Sequence, residues 1–380
     1  MKALDVFLKI TDIPSSLYQV GAMQEWLMKF FKEIFPESTM VKDFAGIRDE
    51  RDNVNPKFES GNLLINIPAS SGFSHMSPMA IEAHVDTVFE DGVIRPIVLE
   101  DKVISDGSTI LGADDKAAVA AICAAMQVVN IRPHGPIQII FSVGEESSMY
   151  GMREFDFSKI KAKEILCIDG FSPREIITAC AGKIKYRGTF TGKEAHGAEP
   201  EKGINAIELA MTSVGNCIMH GLTGQLRNGV IHNVAEVQSH EGASQYPHNN
   251  TIPGTCQISG ELRGIDFETL QAVSRKITAL MGETTCKKGG LLQFETLVPY
   301  QPFQVGGNST IVNHLQTRNP EIEFKQASSD CSTHSNIFNE KGIESVVIGA
   351  GCRNPHTREE YLIISELEEA VEIITNYLTI

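Results

Sequence analysis

Two stretches, PMAIEAHV at residues 78–85 and DDKAAVAAICAAMQVV at 114–129, decide the fold of this 380-residue chain. The first is apolar enough for a strand buried on both faces. The second is Ala-rich and helical, with an acidic pair at its first turn, where the helix dipole favours negative charge. Two further buried-strand runs follow, PIQIIFSV (136–143) and EILCID (164–169). Alternating strands and helices of this kind argue an α/β fold with a mostly parallel sheet covered by helices. Upstream, GAMQEWLMKFFKEIF (21–35) has helical apolar spacing and GNLLINIP (61–68) reads as a strand.

The texture changes near Gly182. KIKYRGTFTG (183–192) alternates as a half-exposed strand does. After it come a helix (204–221), a strand (230–237), a polar loop, a strand (256–264), a helix (266–282) and a strand (291–298). This is the β-α-β-β-α-β order of a ferredoxin-like domain. Beyond Pro299 the buried pattern resumes in STIVNHL (309–315) and IESVVIG (343–349) and ends in the amphipathic SELEEAVEIITNYL (365–378). The expected organisation is one domain from residues 1–181 and 299–380, interrupted by an inserted domain, 182–298.

Net charge is −15, which makes nucleic acid and anionic membrane poor partners. No apolar run is long enough to span a bilayer, and Asp5 and Lys9 interrupt what would be the apolar core of a signal peptide. The eight cysteines include no C-x-x-C pair, and several sit inside apolar runs. They read as reduced core thiols of a cytoplasmic protein, not as a disulfide framework or a thiolate metal site.

Acids and histidines cluster at the ends of the buried strands. His84 and Asp86 close the first strand on one face, a spacing that suits a metal-binding imidazole oriented by a carboxylate. Asp114 and Asp115 stand at a loop-to-helix junction. Glu145 and Glu146 follow PIQIIFSV, where one carboxylate can bind metal and its neighbour can serve as general base. Asp169 ends EILCID. His356 lies past IESVVIG, with Glu360 at i+4, so a helix beginning there would put the two on one face. Ligands of open α/β sheets bind at the carboxyl ends of the strands. A nitrogen-and-carboxylate set without thiolate suits two divalent ions, zinc above all, with cobalt and manganese as alternatives.

In their order, GNLLINIP, AHVDTV, ILGADDKAAVAAI, GEES, IDG, GKEAHGAEPEKGINAI, NNTIPG, ELRG and NPHTREEY resemble the di-zinc exopeptidases that include peptidase T (tripeptidase), glutamate carboxypeptidase and acetylornithine deacetylase. The likeness spans nearly the whole chain and is strongest to peptidase T-like proteins. It implies a zinc-peptidase catalytic domain with an inserted lid and dimerisation domain. It implies that His84 and Asp169 bind one zinc, that Glu146 and His356 bind the other, and that Asp114 bridges them across a cis Asp114–Asp115 peptide. Glu145 would activate a water shared by the metals, and Asp86 would orient His84. His196 would reach the partner subunit's site in a homodimer and stabilise the oxyanion, while Asn250 and Arg263 would hold the substrate. The implied activity is hydrolysis of the N-terminal peptide bond of short peptides; an N-acyl amino acid deacylase or carboxypeptidase-like amidohydrolase would use the same site. The chain departs from the family at SSDCSTHSN (328–336), where a Gly-Gly-x-Asp-Ala-Asn loop is usual and either Asp330 or His334 takes the Asp position.

Overall fold

The computed structural model describes residues 1–16, 19–43, 60–88, 92–239, 250–306 and 309–380. They form two compact units. One comprises Met1–Ala179, Gln304–Ser329 and Thr333–Ile380; the other comprises Cys180–Phe303 and Asp330–Ser332. The second unit is wider than 182–298. Its last strand runs on to Tyr300, and the tip of the 328–336 loop joins it where Ser332 Oγ donates to Tyr300 Oη at 2.6 Å.

The first unit is built on a nine-stranded sheet. Its four central strands are parallel, in the order Ile137–Ser142, Met79–His84, Glu164–Gly170 and Glu344–Gly349. They are the continuous apolar runs of the sequence, and Ile137–Ser142 is buried at every position. Antiparallel strands flank them, Asn62–Ile67 and Thr39–Asp43 on one side and Glu175–Cys180 on the other. The fold is thus mixed α/β with a mainly parallel central sheet.

The helix Ala113–Val129 is enclosed almost all round, packed by the helices Ala3–Thr11 and Ile364–Leu378. A helix buried on every side has no polar face, and its alanines let three helices approach closely. Lys116, fully buried in its first turn, donates Nζ to the carbonyls of Thr11 (3.1 Å) and Ile13 (2.9 Å). The start of this helix is thereby fixed to the end of the first one.

A second, four-stranded antiparallel sheet runs in the order Cys352–Arg353, Tyr361–Ile363, Lys102–Ser105 and Pro96–Val98. These strands of two to four residues are too short to leave a periodicity in the sequence. The sheet matters because it lays residues 352–363 beside the segment that leads to Asp114.

The second unit holds a five-stranded antiparallel sheet in the order Gly224–Gln225, Ile231–Gln238, Thr255–Gly264, Gly182–Thr191 and Leu291–Tyr300. The helices Ala206–Met219 and Phe267–Lys287 pack against each other and against this sheet. The core between them includes Phe190, Leu209, Ile258, Leu262, Leu270 and Ile277. Among the described residues no helix is long and apolar enough to cross a membrane.

Candidate active site

Sheet topology brings the acids and histidines of the first unit together. His84 is the last residue of the central strand Met79–His84 and is 1% exposed. Its Nε2 lies 3.1 Å from Asp114 Oδ1 and 3.7 Å from Asp169 Oδ1. His356 Nε2 lies 3.3 Å from Asp114 Oδ2 and 2.9 Å from Glu146 Oε1. Two groups result, His84–Asp114–Asp169 and Asp114–Glu146–His356. In each, one potential donor atom per residue lies within 4.8 Å of the others. Asp114 belongs to both, offering one oxygen to each, and the Asp114–Asp115 peptide is cis.

Three local devices hold these groups. The first concerns Asp86. His84 Nδ1 is held by the main-chain carbonyl of Asp86 at 2.8 Å, while the Asp86 carboxylate is farther away at 3.7 Å. That fully buried carboxylate instead accepts the main-chain N–H groups of Glu145 (3.3 Å) and Glu146 (3.2 Å). Asp86 thus orients the imidazole chiefly through its backbone and the acidic turn through its side chain. A carboxylate near a ligand histidine was legible from the sequence, but this division of labour was not.

The second device is Glu360. No helix begins at His356; residues 355–359 form turns, and His356 itself is left-handed (φ 63°). Glu360 does not share a helical face with it. Its carboxylate turns inward, 1% exposed, and accepts the main-chain N–H groups of Leu111 (2.8 Å), Gly112 (2.7 Å) and Asp114 (2.9 Å). Sequence reasoning noted Glu360 only for its spacing from His356.

The third is a buried pair beneath the site. Glu82, two residues before His84 on the same face, lies 2.8 Å from His334 Nδ1 and accepts from Ser142 Oγ at 2.6 Å. His334 opens the helix His334–Glu340, with Thr333 as its N-cap and Asn336 closing a capping box. Asp330 is exposed and belongs to the second unit. His334 therefore occupies the helix-start position of the unusual loop.

The electrostatics are those of carboxylates crowded out of water. Burial, with Asp169 next in weight, pushes the Glu145 carboxyl well above the usual range. Burial also raises Asp169, Asp115 and Glu146. Asp114 goes the other way. Burial opposes its ionisation, but hydrogen bonds from His356 and His84 hold it below the ordinary range. The neighbouring Asp114 and Glu146 carboxylates raise His356 to about 10. Glu146 Oε1 is buried without an aligned donor although His356 Nε2 is 2.9 Å away. Crowded carboxylates and imidazoles, with one buried oxygen of Glu146 lacking a donor, fit divalent cations, which would supply the missing positive charge.

The remaining predicted residues lie in the second unit. His196 and Asn250 are neighbours there: His196 pairs with Thr251 in a two-stranded antiparallel sheet, and Gly197 N–H donates to Asn250 O at 2.6 Å. His196 is exposed, and its Nδ1 accepts from Ala198 N–H at 3.1 Å. Arg263 stands near the far end of the strand Thr255–Gly264, its Nε donating to Glu261 Oε1 at 2.8 Å. Glu261 also pairs with Lys183 Nζ at 3.1 Å.

The sequence profile of peptidase family M20/M25/M40 matches residues 80–379. An uncharacterized protein, YqjE, from Bacillus subtilis is 30% identical over 326 residues, 83% of each chain. Peptidase T of Listeria innocua is 26% identical over 284 residues, 72% of this chain and 66% of that one. The crystal structure of a tripeptidase from Staphylococcus aureus superposes with a TM-score of 0.87 at 24% identity, covering 99% of this chain and 97% of the other. That last likeness is one of fold.

Proposed function

The chain belongs to peptidase family M20/M25/M40 and is a metal-dependent peptidase of the peptidase T-like kind, and from that premise we propose that it removes the N-terminal residue of short peptides, tripeptides in particular. One observation carries the proposal: two ligand groups that share Asp114 lie beside Glu145, a carboxylate that burial keeps basic. In it, His84, Asp114 and Asp169 hold one divalent ion, and Asp114, Glu146 and His356 hold a second. Zinc is the ion we assign, because nitrogen and carboxylate donors in groups of three suit it.

When bound, the ions acidify a water and polarise the scissile carbonyl. The chain's own residues do the rest. Glu145 accepts the proton of the attacking water and delivers it to the departing amine, for which a carboxyl of raised pKa is suited. Asp86 keeps Glu145 in place by holding its main-chain N–H. In the second unit, His196 serves as an oxyanion donor to the site of a partner subunit, and Asn250 and Arg263 hold the substrate, the Arg263 fork being matched to a carboxylate.

A homodimer through the second unit is part of this reading. The helix Ala206–Met219 exposes Ile207, Met211 and Ile218 at i, i+4 and i+11, one helical face, with Met219 beside them. The eight cysteines, six buried and two exposed, are thiols rather than disulfides, which supports a reducing, cytoplasmic location.

A panel of free tripeptides set against dipeptides and N-acyl amino acids tests the substrate. Cleavage of tripeptides at the first bond is expected, and hydrolysis of acylated amino acids alone would replace the aminopeptidase reading with a deacylase. Sedimentation tests the dimer: a monomer with full activity contradicts a role for His196 across subunits.

A further inference from the structure

The helix Ala113–Val129 begins without a cap of its own. Its N-cap residue is Gly112, left-handed at φ 68° and unable to offer a side-chain acceptor. The main-chain N–H groups at a helix start need partners. Asp114 and Asp115 are themselves non-helical, and the Glu360 carboxylate, 246 residues beyond Asp114, accepts the N–H groups of Asp114, of the N-cap Gly112 and of Leu111 before it. One oxygen takes Leu111 and Gly112, the other takes Asp114, and Cys352 Sγ lies 3.6 Å from the latter oxygen. Three donors on two oxygens require a carboxylate. An amide offers one oxygen and turns an NH2 donor toward a main-chain N–H.

What Glu360 holds is the segment that presents Asp114, the only residue common to both ligand groups. Glu360 also lies four residues past His356, within the turn-rich segment that carries that ligand. It therefore joins the two chain segments whose side chains must meet in the Asp114–Glu146–His356 group. We propose that Glu360 is the positioning residue of the Asp114 carboxylate. By tying the 111–114 segment to the His356 segment, it sets where the two Asp114 oxygens stand relative to the two metal positions. The inference rests on the two-ion reading above.

The test uses the full chain, stripped with chelator and titrated with Co2+ alone. The visible bands of the Co2+ protein report coordination geometry, and competition with a chromophoric chelator gives affinity. Wild type is expected to take two ions per chain; fewer than two overturns the two-ion reading and this inference with it. Given two in the wild type, Glu360→Gln is expected to weaken Co2+ binding about 10- to 100-fold, the usual effect of losing a partner that orients a ligand, and to change the band shape. Glu360→Asp, which keeps two acceptor oxygens, is expected to lose less than Glu360→Gln. A lower unfolding temperature in Glu360→Gln with wild-type Co2+ affinity and spectrum would mean that Glu360 serves only the fold, and overturns the inference while leaving the two-ion reading intact. Should Glu360→Gln fail to fold, Glu360→Asp decides alone: unchanged affinity and bands in it overturn the inference.

Discussion

The main-chain N–H of Glu146 donates to Asp86 Oδ2 at 3.2 Å, and the N–H of Glu145 donates to the other oxygen of the same carboxylate at 3.3 Å. Asp86 therefore holds the backbone of both Glu146, the proposed ligand, and Glu145, the proposed base, while His84 leans mainly on its backbone carbonyl. Asp86→Ala should lower activity about 10- to 100-fold. Because Glu145 is displaced as well as Glu146, kcat should stay low when metal is added to saturation. Recovery of full kcat by excess metal would show that the Asp86 side chain serves metal retention alone.

Glu145→Gln removes the proposed base and keeps the shape. The expected fall in kcat is about 10²- to 10⁴-fold, with metal content by mass spectrometry unchanged from wild type. A fall in metal content of the same size would make Glu145 a ligand and not the base.

The His356 pKa, raised to about 10 by Asp114 and Glu146, gives the metal-free protein a pH dependence. The folded state holds this proton more tightly than the unfolded chain, whose histidine titrates near 6.5. The stabilisation is complete below about pH 6.5 and is lost as pH rises through about 10. Buried Glu145 and Asp115, also raised, act in the same direction. The unfolding temperature of chelated protein should accordingly fall between pH 7 and pH 10. A metal held by His356, as proposed, displaces its proton, so binding should release protons. Calorimetry at pH 8 in buffers of different ionisation enthalpy measures that release, and a binding enthalpy independent of the buffer contradicts it.

The parallel core was legible because strands buried on both faces leave unbroken apolar runs, and four of the site residues sat at or just past the end of one. His84, Glu145, Glu146 and Asp169 could be placed by that rule alone. Glu360 and the Glu82–His334 pair could not. Their partners are main-chain groups and side chains 246 to 252 residues away, and such contacts impose no local pattern. The same holds for the four-stranded sheet, whose strands are shorter than any periodicity. The Asp86 carboxylate shows a subtler limit: its spacing from His84 was legible, but the nearer carbonyl and the two amides that divide its role belong to backbone geometry.

The Glu82–His334 pair yields the last prediction. Both side chains are 1% exposed, and Ser142 Oγ is hydrogen-bonded to the same Glu82 oxygen. Burial pushes the Glu82 carboxyl up, but the His334 imidazole, with the Ser142 hydroxyl and Cys167 thiol, more than reverses this and holds it below the ordinary range. Removing one partner strands the other, 1% exposed, in the interior at a cost of about 3–5 kcal/mol. Replacing both by apolar side chains of similar size removes the unpaired group as well. His334→Leu should therefore lower the denaturation midpoint of the first unit strongly, and Glu82→Leu combined with His334→Leu should recover much of the loss. Ser142 then retains the Ala83 carbonyl, 3.5 Å away, as an acceptor. A double variant no more stable than His334→Leu would mean that the pair's shape, and not its charge, is what this part of the sheet requires.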